Sequence, residues 1–95
     1  MAQSVSVKVK IMNRLGLHAR PAMSFVDLAA VYTSDIKVAK SDAGGDIVVD
    51  GKSIMEMMML AAAQGTELEI RAEGDDAEKA CADLKKLVES GFDEE

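Results

Sequence analysis

One histidine occurs in this chain of 95 residues, and it lies within Gly16-Leu17-His18-Ala19-Arg20-Pro21-Ala22. Imidazole titrates near neutrality, so an unprotonated ring nitrogen is available as a nucleophile at cell pH. Two residues on, Arg20 brings a planar fork of donors that matches phosphate oxygens. Pro21 is favoured in the first turn of a helix, where its missing N–H costs nothing. Ala22, Phe25, Val26 and Ala29 then recur at helical spacing, which predicts a helix beginning between His18 and Pro21. The unbonded amides at such a start attract anions, phosphate above all. Gly16 permits a sharp turn just ahead of the histidine and leaves its approach uncrowded. This combination suits a histidine that carries a phosphoryl group, with the backbone at Ala19 and Arg20 and the Arg20 side chain on the phosphoryl oxygens. A lone histidine is also commonly a solvated side chain or a helix cap, and what its side chain touches decides between the two.

Composition narrows the remaining chemistry. The single cysteine, Cys81, allows no internal disulfide and no thiolate metal cluster. One His and one Cys supply neither a hydrolytic triad nor a metal cage, and aromatics are only 3% of the chain. No cofactor or metal is expected. A net charge of −6 argues against nucleic acid and against anionic membrane surfaces, both of which call for clustered Lys and Arg. Met1-Ala2-Gln3-Ser4 lacks the basic end and apolar stretch of a signal peptide. The longest apolar run, Met57 to Ala63, falls far short of the roughly 20 residues that span a bilayer. A cytoplasmic protein without membrane insertion is expected. Its length allows one small domain, and a hydrophobic content of 48% with so few aromatics implies an aliphatic core.

The elements that must position His18 follow from hydrophobic periodicity. Val5, Val7, Val9 and Ile11 alternate with Ser6, Lys8 and Lys10, as in a strand with one buried face. The first helix is expected from about Ala19 to Tyr32. A second strand, about Asp35 to Ser41, and a third, Ile47-Val48-Val49, flank the turn Asp42-Ala43-Gly44-Gly45 and predict a hairpin. Ser53 with Glu56 three residues later is a capping-box signal for a second helix, closed by Gln64-Gly65. Leu68, Ile70 and Ala72 alternate in a fourth strand. Asp75 with Glu78 repeats the capping signal. Ala77, Ala80, Cys81, Leu84, Leu87 and Val88 then mark one face of a last helix that Gly91 stops, with Cys81 as a passive core thiol. The order β-α-β-β-α-β-α, with four half-apolar strands and three amphipathic helices, gives a two-layer α+β sandwich. A single domain over 1–95 is expected, with its core at about 5–92 and a solvated acidic tail at 93–95.

Residues 16–22 resemble the active-site motif of the HPr family, the histidine-containing phosphocarrier proteins of the bacterial phosphotransferase system. A second stretch, Lys52-Ser53-Ile54-Met55 running through Met58 to Leu60 and Gly65, resembles that family's second motif. The likeness extends from about Val5 to Phe92 without large insertions. It implies an open-faced sandwich whose four-stranded antiparallel sheet has the order 1-4-2-3, covered on one face by three helices. It also implies that Nδ1 of His18 takes a phosphoryl group from a phosphoenolpyruvate-charged Enzyme I and passes it to a sugar-specific or regulatory Enzyme IIA-type acceptor. Such a carrier is stoichiometric rather than enzymatic, and it is expected to act as a monomer.

The second motif carries further expectations. By its match, Ser53 aligns with the serine that a dedicated kinase phosphorylates in some bacteria; as a structural residue it is a helix N-cap, with Glu56 placed to repel a phosphate there. The residues matching Ile54, Met55 and Met58 form the family's docking patch, and methionine-rich surfaces adapt to several partners. Met59 adds to the same apolar group, and Lys52 is expected as a charge on its rim. Leu15 and the closing Gly91-Phe92-Asp93-Glu94-Glu95 resemble the nitrogen-related branch, whereas Lys52-Ser53-Ile54-Met55 resembles the sugar branch. The alternative to a carrier is a nitrogen-branch or catabolite-regulatory binding module that works through Ser53 and the Met patch.

Overall fold

The structure, a computed structural model, describes residues 3–42 and 45–93. The strands are β1 (Gln3–Lys10), β2 (Asp35–Asp42), β3 (Gly45–Asp50) and β4 (Glu67–Gly74), and the helices are α1 (Ala19–Ala29), α2 (Ile54–Met59) and α3 (Ala77–Glu89). A 3-10 turn, Gly91–Asp93, follows α3. The four strands form one antiparallel sheet in the order β1-β4-β2-β3. Of the expected turn after β2, Ala43 and Gly44 lie outside the described residues, although Asp42 pairs with Gly45 across it. Met1 and Ala2 of the chain start, and Glu94 and Glu95 of the acidic tail, lie outside them as well.

Period-two alternation sorts the sheet into two faces. Val9, Ile36, Val38, Val49, Leu68, Ile70 and Ala72 are buried and point toward the helices. The register aligns Lys8, Glu69, Ala39 and Val48 in one row on the opposite, open face. All three helices cover the inner face: α3 packs on β1 and β4, and α1 lies between α2 and α3. Phe25 of α1 with Ala80, Leu84 and Val88 of α3 completes the aliphatic core. Cys81 is buried among them, and burial raises its thiol pKa.

Three expected boundaries are corrected. The second helix does not run to Gly65 but ends at Met59, and Ala61 takes a left-handed φ of 49°. The segment after it leaves the helix to bond with the chain that precedes α1. Leu17 donates its N–H to the Ala62 carbonyl at 2.8 Å, Gly65 donates to Ile11 at 2.8 Å, and Ile11 donates to Thr66 at 2.9 Å. The Lys40 ammonium takes the Leu60 carbonyl at 2.7 Å. The first helix ends at Ala29, and Val31 and Tyr32 continue in i to i+3 turns. The N-cap of α3 is Asp76, not Asp75, and its carboxylate does not cap its own helix. It accepts from the N–H groups of Thr33 at 2.9 Å and Ser34 at 3.0 Å, which ties the end of the α1 connection to the start of α3.

Candidate functional site

His18 is the N-cap of α1, with extended backbone angles (φ −86°, ψ −170°). Its own carbonyl accepts the first helical bond, from Ala22 N–H at 3.0 Å, while its imidazole makes no capping bond to the helix. The residue is half-buried, and its backbone is held by the helix it caps. Pro21 follows as the third helical residue and is buried, fixing φ in the first turn without orphaning an N–H. Helix geometry leaves the amides of Ala19 and Arg20 without an acceptor inside α1. No acidic side chain lies in that turn to compete for them. Arg20 is exposed, and neither ion pair found among the described residues, Arg71–Glu69 or Lys79–Asp83, engages it.

The loop that delivers His18 is pinned on both sides. Buried Asn13 donates from Nδ2 to the Gly16 carbonyl at 2.7 Å, and Gly16 N–H donates back to the Asn13 carbonyl at 3.1 Å. Gly16 has φ 71°, and a Cβ there would lie 2.5 Å from the Ala62 carbonyl oxygen. Only glycine fits both the angle and the gap. Leu17, buried beside it, anchors the chain one residue before the histidine. Two parts of this support escaped the sequence reading: Asn13 as a clamp and Ala62 as a backbone acceptor. The signal available for the first was an asparagine three residues ahead of a glycine. For the second there was none, since the acceptor is a main-chain group.

The second motif places its residues as follows. Ser53 is the N-cap of α2, and its Oγ accepts from Glu56 N–H at 3.2 Å. The return arm of the expected capping box goes elsewhere. Ser53 N–H is already bonded to the Asp50 carbonyl at 3.1 Å, so the Glu56 carboxylate accepts from Asp50 N–H at 3.0 Å. Asp50 in turn accepts from Lys52 N–H at 2.9 Å. Lys52, half-buried, donates its ammonium to the Tyr32 carbonyl at 2.7 Å. Ile54, Met55, Met58 and Met59 are all exposed, and Met57 alone of the α2 methionines faces the core. Since α2 packs on α1 and Ala62 anchors Leu17, this apolar surface adjoins the loop that carries His18. Leu15 of the loop is exposed as well.

Other chemistry is sparse. Among the described residues no group of three or more His, Cys, Asp and Glu could hold a metal ion, and no helix is long and apolar enough to cross a membrane. An open groove of about 650 Å³ lies on the uncovered sheet face, lined by Lys8, Lys10, Arg71, Glu67 and Glu69 among others, and His18 is not part of it.

Comparison with known proteins bears on this arrangement. Residues 5–90 match the family described as the PTS HPr component phosphorylation site. The chain is 42% identical over 89 residues to the phosphocarrier protein HPr of Pseudomonas aeruginosa, covering 94% of this chain and 96% of that protein. It is 38% identical over 88 residues to the phosphocarrier protein NPr of Proteus mirabilis, covering 93% and 94%. The crystal structure of HPr from Thermoanaerobacter tengcongensis superposes with a TM-score of 0.87 at 44% identity, covering 96% of this chain and 98% of that one. The fold, an antiparallel sheet in the order 1-4-2-3 under three helices, is thus shared over nearly the full length, and the chain belongs to the HPr family of phosphocarriers of the phosphotransferase system.

Proposed function

We propose that His18 is the phosphoacceptor of this carrier, taking a phosphoryl group from a phosphoenolpyruvate-charged Enzyme I-type donor and handing it to an Enzyme IIA-type acceptor. Nδ1 attacks phosphorus as the bond from phosphorus to the donor breaks, and the same exchange runs in reverse toward the acceptor. The amides of Ala19 and Arg20 and the Arg20 guanidinium hold the phosphoryl oxygens, where the positive end of α1 favours negative charge. Each protein molecule is charged and discharged once per cycle, so it serves as a stoichiometric carrier in the cytoplasm rather than as an enzyme, and a monomer suffices for this exchange. It forms one domain, with the motif loop and α2 on a common surface. Docking uses Ile54, Met55 and Met58, which lie exposed beside the motif loop.

One observation carries this reading: His18 caps the helix with its backbone and leaves its imidazole out of the capping, ahead of a first turn free of acids. The alternative of a regulatory module acting through Ser53 is less well supported. Ser53 Oγ is occupied as a cap, and a phosphoryl group there would meet the Asp50 and Glu56 carboxylates. We therefore assign Ser53 to structure rather than to a serine kinase. The relay is tested by charging the protein with phosphoenolpyruvate and the donor, then adding an acceptor. The wild type is expected to gain and then lose one phosphoryl group, and His18→Ala to do neither. A His18→Ala protein that still relays phosphate contradicts the assignment.

A further inference from the structure

Four of the six residues of α2 are methionines, and their environments differ sharply. Met55 is 78% exposed and Met59 71%, whereas Met57 is 1% exposed. Met55 and Met59 stand four apart, so their thioethers share one helix face. A thioether is oxidised to a sulfoxide in proportion to its access to the oxidant. The competing thiol, Cys81, is buried in the core with its pKa raised. Met58, at 44%, lies between these extremes, so Met55 and Met59 are the most accessible thioethers of α2.

We infer that Met55 and Met59 form an oxidation site through which hydroperoxides turn down partner docking. The step balances simply. A lone pair on Sδ attacks the terminal oxygen of the hydroperoxide, the O–O bond breaks, and water or an alcohol leaves. Sulfur loses two electrons and the peroxide gains them. The product is a polar sulfoxide where an apolar, flexible side chain stood, and a desolvated contact now has to bury that dipole. The fold is unaffected, because the core contact of α2 is made by Met57 and Leu60, both buried. A dithiol reductant acting through a sulfoxide reductase restores the thioether, the oxygen leaving as water and the dithiol becoming a disulfide, so the change is reversible. This inference rests on the docking role proposed for the apolar surface.

The test is limited hydrogen peroxide treatment of the whole protein, with peptide mapping and donor-dependent phosphorylation measured side by side. Met55 and Met59 are expected to gain oxygen well before Met57. The donor concentration for half-maximal phosphorylation is expected to rise about five-fold or more, with the circular dichroism unchanged. The double variant Met55→Leu/Met59→Leu, given the same treatment, is expected to lose much less than the treated wild type, with only the less exposed Met58 left to oxidise. Three results overturn the inference: Met57 oxidising as fast as the other two, treated wild type accepting phosphate normally, or the double variant losing as much as the wild type. Met55→Glu separates the two layers of the argument. If it slows charging while the sulfoxide does not, docking stands and the oxidation site falls; if it charges normally, the docking role falls and the inference with it.

Discussion

The Leu17 amide bonds to the Ala62 carbonyl at 2.8 Å, joining the residue before the histidine to the segment that follows α2. This one main-chain contact makes the two sequence motifs parts of a single surface. It also explains why α2 is short, since Ala62 must leave the helix to accept from Leu17. Gly16 stands directly over the same carbonyl, so the closeness of the two segments depends on its missing side chain.

Gly16→Ala is the first test of that relationship. The new Cβ would meet a backbone oxygen that cannot move aside, at a φ that alanine adopts with strain. The variant is expected to lose about 1–3 kcal/mol in denaturant unfolding and to be charged more slowly by the donor. Unchanged stability would show that the loop has room to spare.

Arg20→Ala and Met55→Glu are expected to fail in different ways. The first removes a donor to the phosphoryl group and should slow transfer at least about ten-fold, with donor affinity nearly unchanged. The second puts a charge into an apolar contact and should weaken donor binding about ten-fold, with the fold intact. Calorimetry with the donor, read beside single-turnover charging, distinguishes them. Equal loss of affinity in both variants would contradict the separation of phosphate holding from docking.

Ser53→Ala is expected to cost about 1 kcal/mol of stability through loss of the cap bond to Glu56 N–H. Ser53→Asp should recover most of that, because aspartate also caps. Glu56→Gly removes one carboxylate next to Ser53, and it should make the serine a better substrate for a family serine kinase. Rapid and complete modification of the wild type by such a kinase would show that the cap does not protect Ser53.

Stability is expected to fall at both extremes of pH through the contacts between the α1 connection and α3. The Ser34 hydroxyl, followed by the Thr33 amide, holds the Asp76 carboxyl near pKa 2, below its ordinary 3.8. A depressed carboxyl stabilises the fold above its unfolded pKa, and that contribution is lost as pH falls from about 4 to about 2. At the other extreme, the hydrogen bond from Tyr32 to Asp83 pushes the phenol up to about 12 from 10.0. Its contribution is complete below pH 10 and is lost as the phenol ionises between about 10 and 12. Asp76→Asn should flatten the acid limb of a plot of melting temperature against pH, and Tyr32→Phe the alkaline limb. Limbs that coincide with those of the wild type would remove both contacts from the account.

What the sequence revealed and what it withheld follow from the range of the interactions. The strands were legible because alternation such as Val5, Val7, Val9 and Leu68, Ile70, Ala72 encodes burial locally. The helix start at His18 was legible from Pro21 and the apolar spacing behind it, and Ser53 was legible as a cap. The end of α2 was not, because Ala61, Ala62, Ala63 and Gln64 all favour helix and the deciding bonds come from Ile11 and Leu17, far away in sequence. Met57 could not be told from its neighbours, since a run of one residue type carries no periodic contrast. Asp75 was read as the cap from its spacing to Glu78, and the contacts of Asp76 with Thr33 and Ser34, which no local pattern encodes, place Asp76 at that junction instead. The bond from Lys52 to the Tyr32 carbonyl was likewise hidden, since no local pattern brings the two within reach.

The most direct test is to locate the phosphoryl group itself. After charging with phosphoenolpyruvate and the donor, the phosphoprotein is mapped by gentle fragmentation and its linkage is challenged with acid and base. One phosphoryl group is expected, on His18, labile to acid and stable to base, and absent from His18→Ala. A phosphoryl group on any other residue, or an acid-stable one that His18→Ala still acquires from the same donor, would contradict the central claim.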